Sequence, residues 1–466
     1  MNAGESGQVA GARRYGLTAG MLTGALAAAG LLTYGFFALA SHSLPAEEYG
    51  VIVVLWSVVF ILVSTLFRPV EQLLSRTIAE LDAHDQGIGR AVRVAGSIQF
   101  ALAVVLVVLA FAFRGQITDK LLDERDFLFG VMVTAVVAFA FEFFLRGFLA
   151  GSRRFNVFAA LLLIDGCGRL AFSLAVAIGI AEGVNVVALG IVAGPTLSLL
   201  VVPWAIRGRI AASQQQPVAP GVAPAAAGDV PQFTLARGGG FAAAVLVMML
   251  SEQVFLNGGP LFVRAEAGAA GAGFIFNVLM VARAPVVLFQ AVAASLLPHL
   301  TRLRSTGDET SDQTFRLSIR LTISVVTAVA ALVVIVILIG GPKLMQIAFG
   351  EEFFYDRAGL VIVAVGMGFY LSAGTLNQAA LAQGQARRAA ACWATCAVGF
   401  IVWNLAQPLD VYRTVEVGFL GIAVTLCALL YIVYRSPRPR AGDELEPGSA
   451  RELEAQLAAA DEAGAG

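Results

Sequence analysis

The sequence predicts an all-α integral membrane protein of about twelve transmembrane helices arranged as two six-helix halves. Three observations carry this expectation: an apolar composition, a series of apolar runs of spanning length, and a polar break at mid-chain with weakly matching sequence on either side. Of the 466 residues, 58% are hydrophobic and only 14% charged, with a mean hydropathy of +0.80. A soluble domain carries about 25% charged residues. Twelve helices of about 22 residues need about 264 residues, a little over half the chain, and that matches the apolar fraction.

Taken in order, the apolar runs cover Gly16–Ser41, Gly50–Phe67, Val92–Phe113, Phe127–Leu149, Val157–Ile180 and Val184–Ile206 in the first half. The second half holds Gly238–Val263, Ala272–Pro298, Leu317–Gly340, Ala358–Gln383, Ala389–Leu405 and Glu416–Tyr434. Each is bounded by charge, Gly or Pro and is apolar on every face, so helices are expected, whereas outer-membrane strands would alternate over about ten residues. The first run follows Arg13-Arg14 but continues for about 25 residues without a cleavage site, too long for a removable signal, so it is expected to remain as a helix.

Five segments result: an N-terminal tail 1–15, a six-helix lobe 16–206, a linker 207–237, a second lobe 238–434 and a tail 435–466. Ser213-Gln-Gln-Gln-Pro217 and Val218-Ala-Pro-Gly-Val-Ala-Pro224 make the linker too polar and interrupted to pack, and the Pro/Glu/Ala-rich tail is expected to be disordered. With both termini placed inside, 22 of the 31 Lys and Arg residues fall on the cytoplasmic side and seven outside, with Arg169 and Arg283 inside helices. The positive-inside rule therefore puts both termini in the cytoplasm. A net charge of −1 argues against a nucleic-acid partner. The four cysteines, Cys167, Cys392, Cys396 and Cys427, lie in apolar runs without metal-ligand spacing, and no cofactor is expected.

The halves match twice in the same order. Tyr49-Gly50 enters the second helix as Ala272-Gly273 enters the eighth, followed by Leu73-Leu74-Ser75-Arg76 and Leu296-Leu297-Pro298-His299. Leu149-Ala150-Gly151-Ser152-Arg153-Arg154 closes the fourth helix much as Leu381-Ala382-Gln383-Gly384 and the following Arg387-Arg388 close the tenth. Together with Leu44-Pro-Ala-Glu-Glu-Tyr-Gly50, Pro285-Val-Val-Leu-Phe289, Leu296-Leu-Pro298 and Phe349-Gly350, this order resembles the polysaccharide and O-antigen flippases of the multidrug/oligosaccharidyl-lipid/polysaccharide (MOP) exporter superfamily. The resemblance implies a MATE-like fold, two pseudo-symmetric lobes forming a V around a central cavity lined by the first, second, seventh and eighth helices. It also implies alternating access in a bacterial cytoplasmic membrane. The implied partners are a lipid-linked saccharide of the polyprenyl-pyrophosphate type as substrate, the lipid bilayer and other polysaccharide-assembly proteins.

A charge at mid-helix costs about 2.5–3.5 kcal/mol on insertion, so those retained in helices are candidate site residues. Glu142 and Arg146, and Asp165 and Arg169, stand one turn apart on the fourth and fifth helices. Ion pairing within a lobe and a cytoplasmic vestibule that meets substrate are both open for them. Glu252 lies about 21 Å into the seventh helix and Arg283 about 16 Å into the eighth from the other side, depths that agree within about two turns. Either a static pair or a substrate site fits; in the latter Arg283 grips a phosphate and Glu252 partners it when the site is empty. Because one arginine is few for a pyrophosphate, Arg68, Arg76 or Arg13 near the cytoplasmic mouth is expected to share it. Asn257 and Asn277, on the helices implied to line the cavity, are expected sugar contacts, while Gln290, Asn377 and Gln378 suit interhelical bonds. Pro260, Pro285 and Gly258-Gly259 are expected bending points.

A drug exporter of the same superfamily is the alternative function, and Glu142 and Asp165 keep it open. A membrane polymerase or acyltransferase is disfavoured, because His42, His84 and His299 lie at helix ends or loops and no nucleophile or metal cluster accompanies them.

Overall fold

The computed structural model describes the backbone of residues 3–83, 87–205, 235–305 and 309–436, with side chains described there outside 3–20, 22–23, 83, 235–242 and 284–316. Among these residues the protein is all-helical. The first half contains α1 (Ala3–Ser43), α2 (Ala46–Ala83), α3 (Gly89–Ala112), a short α4 (Arg114–Leu121), α5 (Asp126–Gly151), α6 (Phe155–Ala177) and α7 (Val184–Ser198). The second contains α8 (Leu235–Ser305), α9 (Glu309–Phe349), α10 (Arg357–Ala382), α11 (Ala386–Ala406) and α12 (Val411–Arg435). Among the described residues eleven helices are long and apolar enough to cross a membrane, and the protein is a multi-pass membrane protein. The linker and the C-terminal tail lie outside the described residues, except where α8 begins at Leu235 and α12 ends at Arg435.

Several boundaries differ from the sequence expectation for identifiable reasons. Residues 1–15 are expected as a tail, yet the backbone is helical from Ala3. The second span, expected to stop before Arg68-Pro69, continues to Ala83 with Pro69 inside it. Proline removes one backbone donor, a loss that neighbouring helices in a membrane bundle can absorb. Likewise α9 runs through Pro342 to Phe349. The expected loop between the seventh and eighth spans is instead helical except at Gly268, whose φ of 74° and ψ of −171° break α8 into two arms. A residue with a Cβ rarely adopts that conformation, so the reversal between the two spans falls at a glycine.

The two halves repeat one pattern of helix contacts. In the first, α1 packs on α6, α2 on α5 and α3, α5 on α3 and α7, and α6 on α7. In the second, α8 packs on α11, α10 and α9, α10 on α9 and α12, and α11 on α12. With the arms of α8 equated to α1 and α2, each first-half pair has a second-half counterpart, as an internal repeat requires.

Because lipid is as apolar as leucine, close approach of backbones and aromatic packing hold such a bundle together. Gly147 and Gly151 are spaced four apart on α5, and a Cβ on either would come within 2.7 Å of the α2 carbonyls of Glu71 or Ser75. Between the halves, the Phe37 ring meets Phe276 at 4.6 Å, and on its own side it meets Trp56 at 5.2 Å.

The tightest contact between halves lies at the end remote from the N-terminus, where α2 begins and α8 breaks. A Cβ on Gly50 would collide with the Ala269 carbonyl, and one on Gly273 would stand 3.0 Å from the Tyr49 ring. Tyr49 and Gly50 thus lie against Gly273, a position matched to Gly50 by the internal repeat, as expected beside a pseudo-two-fold axis. The Tyr49 hydroxyl donates to Asn277 Oδ1, and Arg264 of α8 pairs with Asp123 before α5.

Gly50→Ala is expected to part the halves here, since the obstructing atoms are backbone and cannot turn aside. Cysteines at positions 123 and 264, in a chain lacking its four native cysteines, report it. A short bis-methanethiosulfonate reagent should join them efficiently with Gly50 present and at least about twofold less in the Gly50→Ala variant, if this approach governs closure. Equal yields would refute that role for Gly50.

Candidate functional site

Arg283 occupies the second arm of α8 at nearly the level that Glu252 occupies on the first. The two are 15 and 16 residues from Gly268, or about 22 and 24 Å along their arms. Equal depth does not bring them together. Glu252 Oε1 instead accepts a hydrogen bond from the Tyr370 hydroxyl of α10 at 3.2 Å. Arg283 Nη1 approaches Asn257 Oδ1 at 3.5 Å, and among the described residues no carboxylate lies within ion-pair distance of it. The expected pairing of Glu252 with Arg283 is therefore absent in this conformation, because each has a nearer neutral neighbour.

The two remaining donors of Arg283, Nε and Nη2, are buried and without a partner among the described residues. They form one edge of the planar guanidinium, the geometry that holds two oxygens of one phosphate or carboxylate. Asn257 is fixed in turn, its Nδ2 donating to Gln253 Oε1 at 2.8 Å. Tyr34 of α1 donates to the Met280 carbonyl at 2.5 Å, placing its ring between the halves, one turn before Arg283. The Tyr34 and Tyr370 hydroxyls both lie within electrostatic range of Arg283, and Arg68 of α2 lies within range of Tyr370. Arg68, like Arg283, has no ion-pair partner among the described residues, although Glu71 lies within its electrostatic range.

The cluster is thus built from α1, α2, both arms of α8 and α10. The last of these, and the residues Tyr34 and Tyr370, were not singled out by sequence reasoning. A tyrosine within an apolar run carries no signal of which neighbours it meets. Asn277 lies away from this cluster, fully buried against Tyr49 at the closed end. Arg76 is exposed and pairs with Glu80 at 2.7 Å. Of the other polar groups, Asn377 accepts from Trp393 at 3.1 Å, and the side chains of Gln290 and Pro285 lie outside the described residues.

The second polar group is inside the first half. Arg169 holds both oxygens of Asp165 at 2.7 and 2.8 Å, donates to Thr33 at 3.2 Å and stacks on Trp56 with its guanidinium 4.6 Å from the ring centre. Arg146 pairs with Glu142 and lies 3.8 Å from Asp165, so the two one-turn pairs of α5 and α6 join into one chain. Glu142 is fully buried, and the Asp165 and Arg169 side chains are 9% and 3% exposed. A third group closes the second half near its remote end. Glu416 accepts from Tyr355 at 2.5 Å and from Arg413 at 2.8 Å, while Arg413 also holds Asp356 at 2.6 Å. Burial, with the Glu416 carboxylate beside it, raises the pKa of Tyr355 well above its ordinary value, keeping the hydroxyl a donor.

No sequence family and no curated protein matches the chain. Solved structures do match in fold. The inward-facing conformation of a multidrug resistance MATE family transporter of the MOP superfamily superposes with a TM-score of 0.63 at 12% identity, over 87% of this chain and 93% of that one. A mutant of the MATE transporter VcmN of Vibrio cholerae gives 0.61 at 14% identity, over 90% and 97%. A MOP superfamily transporter of Pyrococcus furiosus, described as having a binding pocket of reverse polarity that suggests a different function, gives 0.58 at 11% identity, over 90% and 94%. The chain has the MATE-like fold of two six-helix lobes.

Proposed function

We propose that the protein carries an anionic, lipid-linked saccharide across a bacterial cytoplasmic membrane by alternating access, with both termini in the cytoplasm. One observation carries the reading: Arg283 lies within a spanning helix with its two-pronged edge unpartnered among the described residues, whereas Arg146 and Arg169, also within spanning helices, are held by carboxylates. An unpaired buried guanidinium is costly unless something negative visits it. A diphosphate would bring two phosphoryl groups, and Arg68, also unpaired among the described residues, lies within electrostatic range of Tyr370, as Arg283 does, and would share them. Asn257, beside Arg283, would meet the first sugar. The Pyrococcus furiosus transporter supports the reading as a precedent for this fold with altered pocket polarity.

A second reading keeps the same fold and takes cationic drugs. Glu252, bonded to Tyr370 whose ring meets Trp393 edge-on at 6.0 Å, favours it, as do the multidrug transporters among the structural neighbours. Purified protein in lipid nanodiscs separates the two. Farnesyl diphosphate, an isoprenyl anion, should bind and tetraphenylphosphonium should not. Binding of the cation alone would establish the second reading, and binding of neither would reject both.

A further inference from the structure

Resting on the anion-carrier reading, we infer that Tyr370 is a positioning residue that keeps Glu252 off Arg283 and so holds the oxyanion edge of that arginine open. An acid and a base at one depth on facing arms of α8 ought to neutralise each other, because opposite charges in a dry interior attract more strongly than in water. They do not. One hydroxyl lies with both of them: Tyr370 Oη donates to Glu252 Oε1 at 3.2 Å while also lying within electrostatic range of Arg283.

Tyr370 is held firmly enough to do this. Its side chain is buried, its ring meets Trp393 edge-on at 6.0 Å, and Phe419 tilts against it at 6.4 Å. Those contacts come from α11 and α12, so the ring is fixed by the second half and does not depend on Glu252 for its place. Glu252 is only half-buried and has no other hydrogen-bond partner among the described residues. Without the hydroxyl, its carboxylate would lose its one donor among the described residues, and the free Nε and Nη2 of Arg283 on the other arm offer two unpaired ones. A carboxylate seated there occupies the same edge that a phosphate uses. The loss would therefore appear as competition by an internal anion, with the fold intact.

Phenylalanine keeps the ring and removes the hydroxyl, so Tyr370→Phe should weaken farnesyl diphosphate binding in nanodiscs about tenfold at unchanged thermal stability. Glu252→Gln removes the competing charge. The double variant Tyr370→Phe/Glu252→Gln should return to within about twofold of the wild-type Kd, and Glu252→Gln alone should bind at least as tightly as wild type. A larger gain from Glu252→Gln in the Tyr370→Phe background than in wild type is what a purely structural role, or a direct contact between Tyr370 and the ligand, would not give. Wild-type affinity in Tyr370→Phe, or a double variant no better than the single, would overturn the role of Tyr370 and leave the anion site standing. Failure of the wild-type protein to bind the diphosphate would overturn the anion-carrier reading itself, and this inference with it.

Discussion

Arg283→Ala is expected to abolish diphosphate binding and transport while the protein still inserts and folds. Its Nε and Nη2 offer two charge-assisted hydrogen bonds, each worth about 1.5–3 kcal/mol. Losing both removes at least about 3 kcal/mol, or more than about 100-fold in Kd. Insertion should not suffer, because a charge that costs about 2.5–3.5 kcal/mol at a helix centre is being deleted. No carboxylate is orphaned either, since among the described residues Arg283 has no acidic partner to abandon. Arg283→Lys keeps the charge and loses the planar fork, so it should retain part of the affinity. The measurement is the Kd for farnesyl diphosphate in nanodiscs, with membrane expression measured beside it. Wild-type affinity in Arg283→Ala at normal expression would eliminate the phosphate role. A loss of expression matching the loss of binding would instead make Arg283 a structural residue.

Asp165→Ala should have the opposite signature, a large loss of stability from a residue outside the proposed binding cluster. Asp165 takes two bonds from Arg169 and lies 3.8 Å from Arg146, so removing it leaves Arg169 buried with no acid and Arg146 with Glu142 alone. Breaking one side of a buried pair costs about 3–5 kcal/mol. Replacing both partners by apolar groups is often close to neutral, so Asp165→Ala/Arg169→Met should recover much of the loss. Chemical denaturation in mixed micelles, compared across wild type, single and double variants, reads both quantities. Normal stability in Asp165→Ala would show that the chain of charges does not hold the first half together. If stability recovers in the double variant and transport does not, the chain serves the transport cycle as well.

How much of this was legible before the fold was known differs from residue to residue. The one-turn pairs Glu142/Arg146 and Asp165/Arg169 were readable, because four residues along a helix is a fixed distance. Their fusion into one chain was not, since the 3.8 Å approach of Arg146 to Asp165 depends on how α5 crosses α6. The similar depth of Glu252 and Arg283 was also readable from counting residues. What separates them was not, because Tyr370 is 118 residues from Glu252, and nothing local to an apolar run distinguishes a tyrosine facing the site from one facing lipid.

The sequence by itself determined that this is a helical membrane protein of two six-span halves, for a physical reason that needs no tertiary information. Unpaired backbone groups are prohibitively costly in lipid, so each long apolar run has to be a helix. It also set Glu252 and Arg283 at similar distances along their helices, since that distance follows from residue count and rise per residue. Only the tertiary structure decided which charges are satisfied and which are free. It also decided where helices end, because Pro69 and Pro342 can be carried within a bundle whereas Gly268, with φ of 74°, interrupts one. The same long-range contacts leave Arg283 without an acid among the described residues, since partners 26, 118 and 246 residues apart, Asn257 with Arg283, Glu252 with Tyr370 and Tyr34 with Met280, meet only when the helices pack and the two halves close.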